Sequence, residues 1–302
     1  MLMCDAYLLP NSLEEAFAAM AEHAGRFRLV AGATDIFPWA REGRAGDVNT
    51  PVLIDITRIP ELRERSVTAE RVRLGAATPI QRFLDDRELM AALPSLPRCA
   101  VWFADDQIRE TATIGGNLVN ASPAADGVPP LMIHDARIEI ASSGGRRTVA
   151  LADFVLGPGR VDLAPDEILL AIECVPLGGY GGSFEKVGHR RSLVISVACV
   201  AAAVKLDADG SRFADVRLAV GGVGPVPRRL ADVERSLRSA PIDNAHIEHA
   251  AAMALDLVQS RTRQAYRREV LNGFVARALL QATRAAGADP RLLAPDMEAA
   301  YA

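Results

Sequence analysis

The sequence predicts an α+β protein of two domains, and three observations carry this prediction. The chain has 302 residues, more than one hydrophobic core usually serves. Four glycines lie between residues 176 and 182, and such a cluster is typical of a domain boundary. Beyond it, strand-like segments precede helix-like segments, the order expected of an antiparallel sheet covered by helices. The boundary is therefore placed between residues 176 and 177.

The N-terminal half alternates short apolar strands with helices. Residues 5–9 are strand-like, and Ser12 with Glu15 forms a capping box before a helix that ends at Gly25. Apolar runs at 27–31 and 51–57 predict buried strands. A helical region is predicted from residue 78 to 103. Further strands are predicted at 72–77, 137–141 and 167–175.

The C-terminal half is predicted to hold three strands, at 183–187, 194–206 and 213–221. The segment from Asp207 to Gly210 supplies a hairpin turn between the last two. After Pro227, helical periodicity covers 228–239, 243–259 and 265–286.

Composition and charge exclude several classes of function. The net charge of −4 gives no electrostatic basis for binding nucleic acid or an anionic membrane. No apolar run reaches the ~18 residues of a membrane span, and the N-terminus lacks the features of a signal peptide. The four cysteines are dispersed without a Cys-x-x-Cys spacing, which predicts reduced thiols in a cytoplasmic protein.

Histidines offer one weak metal motif. His246 and His249 are three residues apart on a predicted helix, so a two-ligand site is conceivable. A helix with two solvated histidines is the favoured interpretation, because no cysteine or carboxylate motif accompanies the pair. No metal ligand is therefore assigned.

The first of two chemically informative stretches reads Leu-Val-Ala-Gly-Ala-Thr-Asp-Ile, at residues 29–36. A buried strand runs into small residues and then into Thr34 and Asp35, which suit a helix N-cap. A strand, a tight turn and a helix start together form a common anion cradle. The alternative is a routine strand-to-helix turn, since neither a Gly-x-Gly-x-x-Gly nor a Walker motif is present.

The second stretch runs from Thr111 to Asp126 and contains Gly115 and Gly116 in succession. Adjacent glycines allow a sharp turn that exposes consecutive N–H groups, and such a turn suits a phosphate. Asp126 adds an acceptor suited to a sugar hydroxyl. The alternative is a glycine turn followed by an ordinary loop. Further donors in the stretch are Thr111, Thr113, Asn117, Asn120 and Ser122.

The order and spacing of these two stretches resemble the FAD-binding medium subunit of the molybdenum hydroxylases. That family includes the flavin subunits or domains of xanthine dehydrogenase, aldehyde oxidoreductases and aerobic carbon monoxide dehydrogenase. The resemblance covers nearly the whole chain and extends to residues 183–187 and 265–268. One departure is Ala33, where family members often carry glycine, which leaves slightly less room at the turn.

The resemblance implies the vanillyl-alcohol-oxidase-like (PCMH-type) FAD fold. Residues 1–176 would form the FAD-binding domain, with α/β subdomains at about 1–57 and 58–176. Residues 177–302 would form a C-terminal α+β domain, with an antiparallel three-stranded sheet plus helices.

The resemblance also implies a set of FAD-binding residues but no catalytic residue. Asp126 would accept hydrogen bonds from ribityl or ribose hydroxyls, and Phe103 would lie close to the isoalloxazine. Leu169 would give apolar contact, and Lys186 would place a cation near the flavin's polar edge, favouring the reduced anionic flavin. Neither glycine stretch contains a histidine, so non-covalent FAD is predicted. The pyrophosphate cradle would comprise Leu29, Val30, Ala31, Gly32, Ala33, Thr34, Asp35 and Ile36, completed by Thr113, Ile114, Gly115, Gly116 and Asn117.

The resemblance implies a heterotrimer, and analogy with the family implies a dimer of such heterotrimers. A large molybdopterin-binding subunit would hydroxylate the substrate, and a small subunit would carry two [2Fe–2S] clusters. Electrons would reach the FAD and leave to NAD, quinone or oxygen.

The alternative is a free-standing FAD-dependent oxidase or reductase, with His189, Arg190 and Arg191 as an anion-binding loop. A scaffold subunit without flavin is the third interpretation, and flavin content distinguishes it.

Overall fold

The computed structural model describes residues 2–44, 48–190, 194–259 and 263–293. Its first sheet consists of three parallel strands in the order β1-β3-β2. Because the strands are parallel, the loop that follows β2 lies at the edge where such sheets bind ligands. The elements of this unit are β1 (Ala6–Leu8), α1 (Leu13–Glu22), β2 (Phe27–Val30), α2 (Ile36–Arg41) and β3 (Val52–Asp55).

Helix α1 begins where the capping box predicts. Ser12 Oγ accepts a hydrogen bond from the Glu15 N–H at 3.2 Å. The Glu15 carboxylate accepts from the Asn11 N–H at 2.7 Å, one residue before the donor that a standard capping box would use. Leu13, Ala16 and Met20 are buried, as the helical spacing of apolar residues requires.

A second unit surrounds a five-stranded antiparallel sheet in the order β4-β5-β10-β6-β7. The sheet of this unit is thus antiparallel throughout, unlike the first. The helical region predicted at 78–103 is divided into three short helices. The elements are a 3₁₀ helix (Pro60–Leu62), β4 (Arg65–Val67), β5 (Val72–Gly75), α3 (Arg82–Asp85), α4 (Arg87–Ala92), α5 (Ser95–Val101), α6 (Asp106–Thr111), α7 (Ile114–Val119), α8 (Val128–Ile133), β6 (Arg137–Ser142), β7 (Gly145–Ala150), α9 (Leu151–Phe154), β8 (Val155–Gly157), β9 (Arg160–Val161) and β10 (Ile168–Cys174).

The C-terminal sheet has four antiparallel strands in the order β11-β12-β13-β14, so the prediction of three strands was wrong. The fourth strand is only two residues long, too short to show an alternating pattern, and it occupies the start of the helix predicted at 228–239. The elements are β11 (Gly181–Val187), β12 (Ala198–Leu206), β13 (Phe213–Gly221), β14 (Arg228–Arg229), α10 (Ala231–Leu237), α11 (Asn244–Met253), α12 (Gln264–Ala285) and 3₁₀ helices at Ala254–Leu257 and Pro290–Leu292.

The hairpin predicted at Asp207 is confirmed. Asp207 Oδ1 accepts hydrogen bonds from the N–H groups of Ser211 and Arg212, at 2.9 and 3.1 Å. Gly210 supplies the left-handed conformation of the turn, with φ of 68°. Local turn chemistry therefore sets the register of β12 against β13.

Strand β12 joins two hydrophobic interiors. Cys199, Ala201 and Ala203 face the interior that includes both N-terminal units. Alternate residues Val200 and Ala202 face the interior formed with the C-terminal helices. Because successive side chains of a strand point to opposite faces, one buried strand serves both interiors.

Two of the four glycines between the domains, Gly181 and Gly182, are closely packed, whereas a Cβ at Gly178 or Gly179 would meet nothing within 4 Å. A Cβ at Gly181 would lie 2.1 Å from the Ala282 carbonyl oxygen of α12. A Cβ at Gly182 would lie 2.5 Å from the carbonyl carbon of Pro94. These two glycines therefore permit close contact of β11 with both neighbours.

In the described ranges no helix is both long enough and apolar enough to traverse a bilayer.

Candidate cofactor site

The loop that follows β2 presents a row of free backbone donors. In the described part of the chain, the N–H groups of residues 31–36 have no hydrogen-bond acceptor. Ala33 adopts a left-handed conformation, with φ of 55°, which a residue with a side chain adopts at some cost. The loop is half-buried up to Thr34. Successive N–H groups in such a loop form a concave site for an anion.

Gly32 brings this loop against the second stretch. A Cβ at Gly32 would lie 1.9 Å from the Thr111 carbonyl oxygen and 3.0 Å from Ala112 Cα. Asn120 Nδ2 also donates a hydrogen bond to Asp35 Oδ2 at 3.1 Å. The two stretches, about eighty residues apart in sequence, are therefore in direct contact.

The interpretation of Gly115 and Gly116 as a sharp turn with free N–H groups was wrong. Both residues lie within helix α7, and Thr113 is its N-cap. The Gly115 N–H donates to the Ala76 carbonyl at 2.9 Å, and the Gly116 N–H donates to Thr113 Oγ1 at 3.0 Å. The N–H groups of Ile114 and Asn117 also have acceptors, on Thr78 and Thr113. These donors are consumed within the protein.

The two glycines of α7 have different roles. Gly115 is buried, and a Cβ there would lie 2.6 Å from both the Cβ and the carbonyl oxygen of Ala76. Gly116 is exposed, and a Cβ there would meet only Thr113 Oγ1, at 2.9 Å. Gly115 thus permits packing against the end of β5, whereas Gly116 leaves the surface of α7 open to a ligand.

Asn117 fixes the turn that carries Asp126. Asn117 Oδ1 accepts a hydrogen bond from the Gly127 N–H at 3.1 Å. The Cys99 thiol donates to the Asp126 carbonyl oxygen, with Sγ at 3.2 Å. Helix α7, helix α5 and this turn are consequently tied together by polar contacts.

Asp126 and Lys186 form a buried ion pair, with Nζ 2.6 Å from Oδ2. Ser196 Oγ donates to Asp126 Oδ1 at 2.5 Å. Burial raises the pKa of Asp126 above its ordinary value, while the hydrogen bonds from Lys186 and Ser196 oppose that rise. Because 60 residues separate Asp126 from Lys186, no local pattern in the sequence indicates their pairing. The contribution of Ser196 has no sequence signal.

The chain next to Phe103 contacts this ion pair through the backbone of Trp102. Phe103 follows helix α5 and is half-buried, and Lys186 Nζ is 3.4 Å from the carbonyl oxygen of its neighbour Trp102. Leu169, on β10, is only 4% exposed and packs in the hydrophobic core, which limits the surface it can offer to a ligand.

The basic loop considered as an anion site is only partly described. His189 and Arg190 are exposed. Arg191 lies outside the described residues.

On α11, His246 Nδ1 contacts Asp243 Oδ1 at 2.8 Å, an interaction at the N-cap of the helix.

The fold thus combines a parallel sheet with a donor-rich loop, an antiparallel sheet in contact with it and an α+β domain, and family comparisons identify its class. Residues 3–177 match the family model described as FAD binding domain in molybdopterin dehydrogenase. Residues 183–282 match the model described as CO dehydrogenase flavoprotein C-terminal domain. The chain belongs to this family of FAD-binding oxidoreductase subunits.

Individual relatives agree with the family match. The putative xanthine dehydrogenase FAD-binding subunit of Escherichia coli is 30% identical over 93% of this chain and 97% of its own length. The glyceraldehyde dehydrogenase medium chain of Sulfolobus acidocaldarius is 29% identical, over 90% and 96%. A solved structure of carbon monoxide dehydrogenase from Hydrogenophaga pseudoflava superimposes with a TM-score of 0.87 at 26% identity, covering 94% of this chain and 99% of that one.

Proposed function

We propose that this chain binds FAD non-covalently and relays electrons from [2Fe–2S] clusters of a partner subunit to an external acceptor. The observation that carries the proposal is the contact of Gly32 with the Thr111 carbonyl. Together with the hydrogen bond of Asn120 to Asp35, it supports a site in which the N–H groups of residues 31–36 face a ligand near α7, where Gly116 is exposed. Backbone donors of this kind fit a pyrophosphate.

The residues would share the cofactor as follows. Residues 29–36 would hold the pyrophosphate, and the start of α7, residues 113–117, would border it without a side chain at Gly116. Asp126 retains acceptor capacity on each carboxylate oxygen for a hydroxyl of the cofactor. Phe103 and Leu169 would give apolar contact, and the Lys186 ammonium would lie at the flavin's polar edge. Bound FAD supplies the ability to accept and release electrons, and the protein orients and tunes it.

We further propose the assembly in which the chain works. The relatives are called an FAD-binding subunit and a medium chain, which supports a complex with a large molybdopterin-binding subunit and a small [2Fe–2S] subunit. The complex would be a dimer of such heterotrimers. We place it in the cytoplasm, because all four cysteines are free and three of them are buried. The external acceptor would be NAD, quinone or oxygen. Relatives with different substrates leave the substrate open.

The proposal is tested by the visible spectrum of the purified full-length chain. We expect flavin absorption bands, and we expect acid precipitation to release the chromophore into the supernatant as FAD. A colourless protein that takes up no added FAD would contradict the proposal. Turnover of a small organic substrate by the chain alone would instead indicate a free-standing oxidase or reductase.

A further inference from the structure

Asp126, Lys186 and Ser196, here called the Asp126 cluster, lie at the joint between the two domains. Lys186 Nζ is 2.6 Å from Asp126 Oδ2, and Ser196 Oγ is 2.5 Å from Oδ1. Ser196 is 4% exposed and the Lys186 side chain is 6% exposed. Each carboxylate oxygen of Asp126 therefore has its own donor from the C-terminal domain.

The backbone around Ser196 is fixed. The next residue, Val197, donates its N–H to the Val187 carbonyl at 2.8 Å. The Val197 carbonyl accepts a hydrogen bond from the Arg267 guanidinium of α12, which also bonds the Gly222 carbonyl. On the other side, Ile195 is 77% exposed. Ser196 is thus the residue at which the chain enters the interior, and hydrogen bonds of the next residue with β11 and α12 hold its backbone in place.

An opposite charge and hydrogen bonds to its oxygens favour the charged form of a buried carboxylate. Lys186 supplies the charge with one hydrogen bond, and Ser196 supplies another. The Cys199 thiol also acts to lower the pKa of Asp126, but a thiol is a weak donor. Without the Ser196 hydroxyl, the carboxylate can rotate or take up a proton, and either change releases the ammonium of Lys186 from its fixed position.

We infer that Ser196 is a positioning residue that orients the Asp126 carboxylate and thereby fixes the Lys186 ammonium against the cofactor. This inference rests on the proposed FAD site, because only a bound flavin would sense the ammonium. It assigns to Ser196 a tuning role exerted through two other side chains, with no contact of its own to the cofactor.

The chain offers a direct probe, because it contains only two lysines, Lys186 and Lys205. Lys205 is exposed, with its Nζ 5.7 Å from the centre of the Tyr180 ring, and serves as an internal reference. Lysine labelled with ¹³C at the ε-carbon therefore gives two NMR signals in the cofactor-free, full-length protein. In Ser196→Ala we expect the Lys186 signal to move towards that of a free ammonium while the Lys205 signal stays in place.

Controls separate positioning from packing. Ser196→Thr keeps the hydroxyl and should restore the parent Lys186 signal. Ser95→Ala is the matched control: Ser95 is fully buried and bonds the Ala202 carbonyl across the same joint at 2.8 Å, without touching Asp126. It should leave both lysine signals unchanged. If Ser196→Ala does not fold, Ser196→Cys, with a weaker donor, should move the Lys186 signal in the same direction.

The second readout is the midpoint potential of FAD bound to the same variants. We expect Ser196→Ala to shift it to a more negative value, because the cation that favours the reduced anionic flavin is less well held. An unchanged Lys186 signal in Ser196→Ala, or an equal change in Ser95→Ala, would overturn the inference. Failure of the parent chain to bind FAD would contradict only the proposed function, since the NMR measurement needs no cofactor.

Discussion

Gly32 leaves no space for any side chain, because a Cβ would lie 1.9 Å from the Thr111 carbonyl oxygen. We expect Gly32→Ala to separate the two stretches, lower the free energy of unfolding by about 1–3 kcal/mol, and lower the amount of FAD that copurifies. The ratio of flavin to protein absorbance and urea unfolding measure the two effects. Gly178→Ala is the control, since a Cβ there meets nothing within 4 Å. Equal FAD content in the two variants would contradict the role given to Gly32.

At this scale the sequence indicates some residues and not others. The small residues at 31–33 follow a buried strand, so their function as a turn is visible locally. The ion pair of Asp126 with Lys186 is not, because it depends on how β11 packs beside α5. Ser196 stands in no motif and becomes significant only once its 2.5 Å contact with Asp126 is seen.

The amino-acid composition of α7 disfavours a helix. Two glycines among its six residues each cost about 1 kcal/mol relative to alanine. The sequence therefore favoured a turn over a helix at this position. Tertiary packing reverses that preference, since Gly115 fits against Ala76 and Thr113 caps the first turn. Hairpin and capping motifs were predictable because their chemistry is local, whereas this helix depends on contact with Ala76, which follows β5 and is distant in sequence.

Because α7 is intrinsically weak, its cap carries much of its stability. We expect Thr113→Ala to lower the free energy of unfolding by roughly 1–2 kcal/mol, since the Gly116 N–H loses its acceptor. Thr113→Ser keeps that acceptor and should lose less. Urea unfolding of both variants makes the comparison. A Ser variant as unstable as the Ala variant would assign the effect to the lost methyl group instead.

His134 joins the end of α8 to the end of β10 within the N-terminal domain, and it makes the stability of the protein depend on pH. Its Nδ1 is 2.8 Å from the Val175 carbonyl, and its Nε2 is buried without a hydrogen-bond partner among the described residues. Burial lowers the pKa of His134 from 6.5 to about 4. The unfolded chain therefore binds a proton at a pH where the folded protein does not, so stability falls as pH drops from 6.5 towards 4.

We expect this histidine to remove about 2 kcal/mol of stability between about pH 7 and about pH 5. His134→Asn keeps a donor for the Val175 carbonyl but has no titrating group, and so should show a smaller loss over the same interval. Urea unfolding at the two pH values, in both proteins, gives the difference. An identical pH dependence in the two proteins would show that other groups are responsible.

Strand β12 has a consequence for how this protein can be divided or recombined. Its Cys199, Ala201 and Ala203 complete the interior of the N-terminal units, so the matched region 3–177 does not close its own interior alone. The other interior is formed within residues 187–293. A fragment that ends at residue 177 would expose the hydrophobic surface that β12 covers in the intact chain, and we expect it to aggregate. The intact chain should unfold in a single calorimetric transition. Chimeras with relatives would tolerate exchange at the glycine cluster only where the strand replacing β12 has small residues on the face towards the N-terminal units.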